Sequence, residues 1–505
     1  MSRFGSILWG GGGQNSAVAV GADTVADLNM DQIFVLTGAT KHEAAHRRPL
    51  RDLELVHYRQ QVFIDLRDDA VRAVFEVFVA GMNSVRKHRE RWQKLRNPQQ
   101  RDRCQLDAEM LYCRTVLDLH TALGELPLSA NGFQEWRRWL ADHVDGTDFR
   151  ALMADGARVR AGLDSVRYTV RVAGRQLVID RFDDQPDYSD VIAAAFARFA
   201  VDDNLDRQRF TEPWPDMNEV EEQVIALVAE QHPKVFGQLE AHARRHQNFI
   251  DPVIDRFQIE LQFYLDYLWL VRHLDEHGLP FCIPEVTTGF RGMYAEDAYD
   301  AALAPQLIRE QTPLVRNDFR LDGAERVLVV TGPNQGGKST FARMCGQLAY
   351  LAALGCPVPA ARARVPLTDN VFTHFVREDD VSDPDGGLAR ELARLHDILA
   401  RISEHSLVVL NESLSTTTVG DATRLGSEVL RQIIERGAVA VYVTFLEELA
   451  DLGPEVVSMV AGVEPGDDAL RTFRIARRPP DGLAHAAVVA QRHGLTYDAI
   501  RARVR

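Results

Sequence analysis

Residues 327–340, VLVVTGPNQGGKST, hold the side chains best suited to chemistry. Gly332, Gly337, Lys338 and Ser339 follow the order G-x-x-x-x-G-K-S, with Gly336 as an extra glycine. An apolar, mostly β-branched run, Val327 to Val330, predicts a buried strand, and Ser339 to Leu354 predicts a helix. Where a strand turns into a helix, backbone N–H groups at the helix start have no partner and face outward toward an anion. Glycines let the backbone wrap a phosphate without a Cβ in the way. A lysine at position 338 can reach β- and γ-phosphates, and the Ser339 hydroxyl can ligate Mg²⁺. Gly332, Pro333, Asn334, Gln335, Gly336, Gly337, Lys338, Ser339 and Thr340 are therefore the expected nucleotide-binding loop.

A second segment, SLVVLNE at 406–412, is an apolar strand ending in two polar residues. In phosphate-loop ATPases a strand of this kind presents a carboxylate toward Mg²⁺, followed by a group that orients the attacking water. Glu412 is placed to be that general base. Asn411 can hydrogen-bond a metal-bound water but brings no charge, and Mg²⁺ prefers anionic oxygens. Ser339, Asn411 and Glu412 form the expected metal set, with ATP and Mg²⁺ the expected cofactors.

The chain must position these two strand tips. Its 505 residues suffice for about two to four domains. A net charge of −15 excludes a globally basic nucleic-acid coat, though not a local basic patch. The five cysteines show no C-x-x-C pair, which fits a reducing cytoplasm better than a disulfide framework or a zinc site. No apolar run reaches the roughly 18 residues that span a bilayer, and Gly10 to Gly13 occupy the place where an export signal is most hydrophobic.

Residues 1–48 read as a glycine-rich, loosely packed lead-in. Helical spacing runs from Leu50 through 69–96 and 104–124, and resumes over 217–275, so 49–279 reads as a mainly helical domain. A mixed insert is expected at 130–215, with a hairpin in VRYTVRVAGRQLVI at 166–179 that turns at Ala173-Gly174. Pro280 to Pro284 form a linker into 280–505. There, strands at 371–376, 406–410 and 439–443 alternate with helices at 388–402 and 422–436, the pattern of an α/β domain. Arg86, Lys87, Arg89, Arg91, Lys94, Arg96, Arg101 and Arg103 make 84–103 the most basic part. It reads as a solvated helix face with Trp92 buried behind it, or else as a contact to a phosphate backbone. The cluster His242 to His246 reads the same way.

These segments match a family. TGPNQGGKST resembles the TGPNMGGKST of the MutS-type mismatch-repair ATPases. VRNDFRL at 315–321 resembles the family's PND segment, ALGCPVPA at 353–360 its GCFVPA, and VFTHFVREDD at 371–380 its IFTRIGASDD. RELARLHDIL at 390–399, with Glu391, is similar to the VEM…NIL helix. TFLEEL at 444–449 stands at THxxEL, and GLAHAAVVAQRHGL at 482–495 resembles the closing segment. The likeness covers about 313–500, and more weakly the start of the lever helices at 49–68.

The resemblance implies an ABC-type P-loop ATPase domain at the C-terminal end, preceded by a helical core and lever domain with a clamp-like insert. It also implies a homodimer in which ATP is held between one subunit's phosphate loop and the other's Gly386-Gly387 loop, with DNA as partner. Lever-like sequence from residue 49 leaves no room for mismatch-recognition and connector domains, so a short subfamily is expected, reading unusual or branched DNA. Phe133-Gln134-Glu135 matches the family's intercalating Phe-x-Glu in letters but opens a predicted helix, so it reads as core. Gly386-Gly387 replaces Ser-Thr, and Phe445 replaces the switch histidine. With Asn411, these departures keep a second reading open: a nucleotide-binding switch with little hydrolysis, serving as an interaction scaffold. Tyr294 and Phe290 are the aromatic candidates for stacking on a base.

Overall fold

The computed structural model describes residues 4–11, 17–37, 44–174, 176–183, 217–376, 387–415, 417–464, 467–480 and 501. In chain order the elements begin with α1 (Ala22–Asp27), α2 (Met30–Leu36), α3 (Leu53–Leu66), α4 (Asp69–Trp92), α5 (Pro98–Glu125), α6 (Asn131–Asp145) and α7 (Thr147–Asp164). The hairpin β1 (Tyr168–Ala173) and β2 (Gln176–Arg181) precedes α8 (Glu219–Gln231), α9 (Pro233–Arg245) and α10 (Pro252–Asp275). Then come β3 (Glu285–Thr287), β4 (Met293–Ala298), α11 (Ala304–Arg309), β5 (Asn317–Leu321), β6 (Val327–Thr331), α12 (Lys338–Ala353), β7 (Arg362–Pro366) and β8 (Val371–Phe375). The last are α13 (Gly387–Arg401), β9 (Leu407–Asn411), α14 (Val419–Glu435), β10 (Val439–Val443), β11 (Val456–Glu464) and β12 (Asp467–Arg477). No helix among the described residues is long and apolar enough to cross a membrane.

Contacts divide the chain into two compact units. One comprises Ala73–Pro127 and Trp136–Gln258, with Met1–Arg3. Its helices have explicit start signals: Asn97 caps α5 through the Gln100 N–H with Pro98 in the first turn, and Asn218 and Glu221 form a capping box on α8. Where α4 crosses α5, a Cβ on Gly81 would lie 2.7 Å from Thr115, so only glycine permits that approach. Trp136 stacks on Phe257 at 3.6 Å, and Trp92 is buried beside Phe249. The described part of the expected insert, up to residue 183, is mostly helical. Residues 131–164 continue as helices α6 and α7, and only the β1–β2 hairpin departs from helix among the described residues. The proline and glycine at 127, 132 and 146 interrupt the sequence periodicity without ending the helical architecture.

The charges of the basic stretch are largely exposed, as either reading of it requires. Lys87, Arg89, Lys94 and Arg96 are exposed, Arg86 pairs with Asp255, and Arg103 with Asp107. His242 is buried against Glu109 at 3.0 Å, and Arg245 faces Asp155.

The second unit comprises Phe4–Arg72, Leu128–Glu135 and Ile259–Arg505. Its main sheet runs β12-β11-β6-β10-β9-β8, parallel except for β12, which is antiparallel to β11. β6, β8 and β10 are buried along their whole length, as parallel strands covered on both faces require. A smaller mixed sheet runs β3-β7-β4-β5.

The loosely packed lead-in is corrected. Phe4, Ile7, Leu8 and Trp9 are core residues. The Ile7 N–H and Ser6 hydroxyl donate to the Glu260 carboxylate at 3.0 and 2.8 Å, and Tyr264 donates to the Ile7 carbonyl. Arg59, fully buried on α3, donates to the carbonyls of Leu8 and Leu354 with its guanidinium 4.6 Å from the Trp9 ring. α1 and α2 cover α12: Gln347 donates to the Leu28 carbonyl, and a Cβ on Gly346 would collide with Leu28 at 2.4 Å. Residues 49–72, grouped by pattern with the helical domain, pack here instead, because helical spacing reveals an apolar face but not its partner. Leu8→Ala is therefore expected to destabilise this unit by about 2–5 kcal/mol, read as a lower urea midpoint by circular dichroism.

Candidate nucleotide site

The site grows from the reversal between β6 and α12. β6 ends at Thr331, and the chain turns through Gly332 at φ +113°, Gln335 at φ +62° and Gly337 at φ +88°, the N-cap of α12. The turn is pressed from one side by β11. A Cβ on Gly332 would lie 3.0 Å from Ala461, and one on Gly336 would lie 2.9 Å from the Pro333 carbonyl and 3.1 Å from the Ala461 Cβ. Glycine thus answers a packing demand here as well as the conformational one.

Lys338, the first residue of α12, is 5% exposed. Its ammonium donates to the carbonyls of Gly332 and Pro333 at 2.9 and 3.0 Å, and to the Asn334 side chain at 3.4 Å. Burial pushes its pKa below the ordinary lysine value, the nearby Glu412 carboxylate pulls it back up, and Arg471 adds to the lowering. Arg471 also donates to the Asn334 carbonyl at 3.2 Å.

A cleft of about 370 Å³ opens in front of the turn. Gln335, Gly337, Lys338, Ser339, Thr340 and Glu412 line part of it. Gly332, Pro333, Asn334 and Gly336 form the backbone behind it. Glu412 follows the tip of β9, two strands from β6, in a left-handed conformation at φ +55°, and its N–H donates to the Val443 carbonyl. Asn411 is half-buried at the tip of β9, and its side-chain oxygen is buried with no hydrogen-bond partner. Of the residues expected in the loop, metal set and base, the cleft is lined by Gln335, Gly337, Lys338, Ser339, Thr340 and Glu412, and not by Asn411. Gly386 lies outside the described residues, and Gly387 opens α13. Phe445, at the switch position, is 47% exposed just after Thr444, whose N–H donates to the Val330 carbonyl.

The cleft is also lined by the apolar Leu303, Leu307, Pro313, Leu314 and Val315, and by Phe473. Sequence reasoning missed these. Phe473 sits at φ +56° with its ring 3.5 Å from where a Gly337 Cβ would stand. Asn317 holds that strand in place, donating to the Phe473 carbonyl at 3.1 Å and accepting the Ile475 N–H at 2.7 Å. The asparagine of VRNDFRL was the available signal, since it stands beside both Val315 and its own long-range partner. The earlier aromatic candidates are corrected: neither lines this cleft. The Tyr294 ring lies under Arg320 and Arg364, and the Phe290 ring under Arg326 at 3.9 Å. Each aromatic is occupied by a local arginine.

A parallel sheet whose inner strand passes through a glycine-rich turn into a buried helix defines a P-loop nucleotide-binding fold. Residues 328–470 match the family model for MutS domain V, the P-loop ATPase domain. The chain is 32% identical over 184 residues to a DNA mismatch repair protein MutS of Thermotoga sp. (strain RQ2), covering 36% of this chain and 23% of that protein. It is 31% identical over 195 residues to DNA mismatch repair protein MutS 2 of Halobacterium salinarum, 38% of this chain and 23% of that one. With the Thermus aquaticus MutS it is 27% identical over 306 residues, 59% of this chain and 35% of that protein, so this match extends upstream of residue 280. These matches support MutS-family membership for the part of the chain that they cover. The matched stretches span about a quarter to a third of these curated relatives.

Among the described residues no group of three or more His, Cys, Asp or Glu could hold a metal ion. The cleft offers a hydroxyl from Ser339 and a carboxylate from Glu412, with the unpartnered Asn411 amide oxygen at the strand tip. That set fits Mg²⁺ arriving on phosphates and keeping several waters. Gly332→Ala would force a left-handed, crowded Cβ against Ala461, and is expected to cost about 1–3 kcal/mol, measured by urea unfolding.

Proposed function

We propose that this chain is a MutS-type ATPase that binds Mg²⁺·ATP at the β6–α12 turn and couples it to closure of a homodimer on DNA. The observation that carries the reading is that Lys338, Ser339 and Glu412 line one cleft together with apolar side chains such as Leu314, Val315 and Phe473. The phosphates lie against the free N–H groups at the start of α12, where the helix dipole favours negative charge. Lys338 exchanges its loop carbonyls for phosphate oxygens. The base rests between Phe473 and the Leu314-Val315 wall. Ser339 and Glu412, with Asn411 through a water, would hold Mg²⁺, which would supply charge neutralisation to the phosphates. Glu412 accepts the proton of the attacking water.

The partner subunit's Gly386-Gly387 loop closes the site, and tighter ATP binding to the closed dimer is what shifts the population. DNA is read through backbone charge and duplex shape, which suits branched or unusual structures. Phe133 supports this, because it is fully buried at the start of α6 and does not serve as a wedge. Action in the cytoplasm is part of the same reading.

A second reading is favoured by two particular residues. Asn411 lacks the charge that binds metal tightly, and Phe445 has no hydrogen bond to offer a γ-phosphate. On that reading the protein is a nucleotide switch and scaffold with little turnover.

Steady-state ATP hydrolysis with and without duplex, mismatched and branched DNA, with dimer state followed by light scattering, separates the two. Lys338→Ala is expected to weaken ATP binding by about 10–100-fold, and unchanged affinity sinks the nucleotide site. Glu412→Gln is expected to lower kcat by about 10²–10⁴ with affinity retained. DNA affinity is expected to fall steeply with salt, whereas no binding even at low salt, or a preference for mismatched over matched duplex, counts against the DNA reading.

A further inference from the structure

Glu412 and Leu414 both adopt left-handed backbone conformations, at φ +55° and +66°, with Ser413 between them. Neither is glycine, so the tripeptide holds this shape only because its surroundings enforce it. Three side chains from three elements do so. Glu391 of α13 accepts the Leu414 N–H at 2.6 Å. His374 of β8 bonds the Ser413 hydroxyl through Nδ1 at 2.8 Å. Tyr442 of β10 donates to the Ser413 carbonyl at 3.2 Å. All are buried: Glu391 is 7% exposed, His374 3% and Tyr442 1%.

We propose that Glu391 is a positioning residue for Glu412. The proposal rests on the ATPase reading. Glu391 stands four residues after Gly387, one helical turn along the same face. Leu395 and Leu399 continue that face into the core against β9 and β10, where Leu410 and Tyr442 lie in the same cluster. α13 is thereby anchored to the sheet, and its Glu391 carboxylate fixes the Leu414 N–H, two residues from Glu412 on a strained backbone. His374 and Tyr442 hold Ser413 to the sheet. Glu391 touches no nucleotide in this scheme, and its effect falls on the rate of the chemical step rather than on ATP affinity.

The test uses the full chain, measuring kcat and KM for ATP, the Kd of a non-hydrolysable ATP analogue, and hydrogen exchange at the Leu414 amide. Glu391→Ala is expected to lower kcat by about 10–100-fold, the loss typical of a misplaced catalytic group, with KM and Kd within about threefold of the parent. The Leu414 amide exchanges faster. Glu391→Gln keeps an oxygen that accepts the same N–H and is expected to restore most of kcat. Should Glu391→Ala not fold, Glu391→Gln and Ser413→Ala decide: near-parent kcat in the first and a loss of kcat at constant KM in the second. Unchanged kcat in Glu391→Ala, equal impairment in Ala and Gln, or an affinity loss that matches the kcat loss each overturns the positioning role while leaving the nucleotide site intact. A parent protein that binds ATP but never turns it over overturns the ATPase reading, and this proposal with it.

Discussion

The Lys338 ammonium, held 2.9 Å and 3.0 Å from two carbonyls of its own loop, is the interaction around which the sheet unit is arranged. A buried cation is costly unless its hydrogen bonds are met. Here they are met by backbone, and meeting them forces the loop into a tight turn. That turn in turn needs glycine where β11 presses Ala461 against it. It also hands the chain to α12 already buried, so that α12 must be covered on almost every side. The cover comes from β8 and β9 beneath it and from α1 and α2 above Gly346 and Gln347.

Much of this was legible in the sequence, and the reason is local. Strands β8, β9 and β10 and helices α13 and α14 lie within about three residues of the expected ranges, because buried parallel strands are short apolar runs and their crossover helices have strong periodicity. The loop and Glu412 were legible because their chemistry depends on residue type at fixed spacing. What escaped was non-local. The strand β12, the mixed β3-β7-β4-β5 sheet and the apolar lining of the cleft depend on residues far apart in sequence, such as Asn317 bridging to Phe473 and Ile475. Phe473 gave no sign of its left-handed backbone. The segment FGSILW was hidden beside a run of glycines, although it inserts Ile7 and Leu8 into the core.

The altered residues around the site fall on different physical terms. Replacement of a carboxylate by Asn411 removes charge but keeps an acceptor, so metal affinity is the quantity affected. Phe445 removes a hydrogen bond at a half-exposed place, so what is lost is communication with whatever lies outside the cleft. Glu412, its supporting turn and the phosphate loop are held by hydrogen bonds of their own, so a change at Asn411 or Phe445 leaves those contacts in place.

The packing of residues 4–37 has a consequence for how the chain is made. Ser6 finds Glu260 across 254 positions, and Thr24 finds Val371 across 347. Contacts of such sequence separation form late, after the loop-closure entropy of the intervening chain has been overcome. On a ribosome, Ser6 and Thr24 wait for Glu260 and Val371 while the whole of Ala73–Pro127 and Trp136–Gln258 is synthesised, although Tyr58 and Arg59 are already at hand for Ser6 and Leu8. The sheet unit is thus discontinuous in sequence, and the apolar side chains of Phe4, Ile7, Leu8 and Trp9 reach their full burial only when segments hundreds of residues away have joined it.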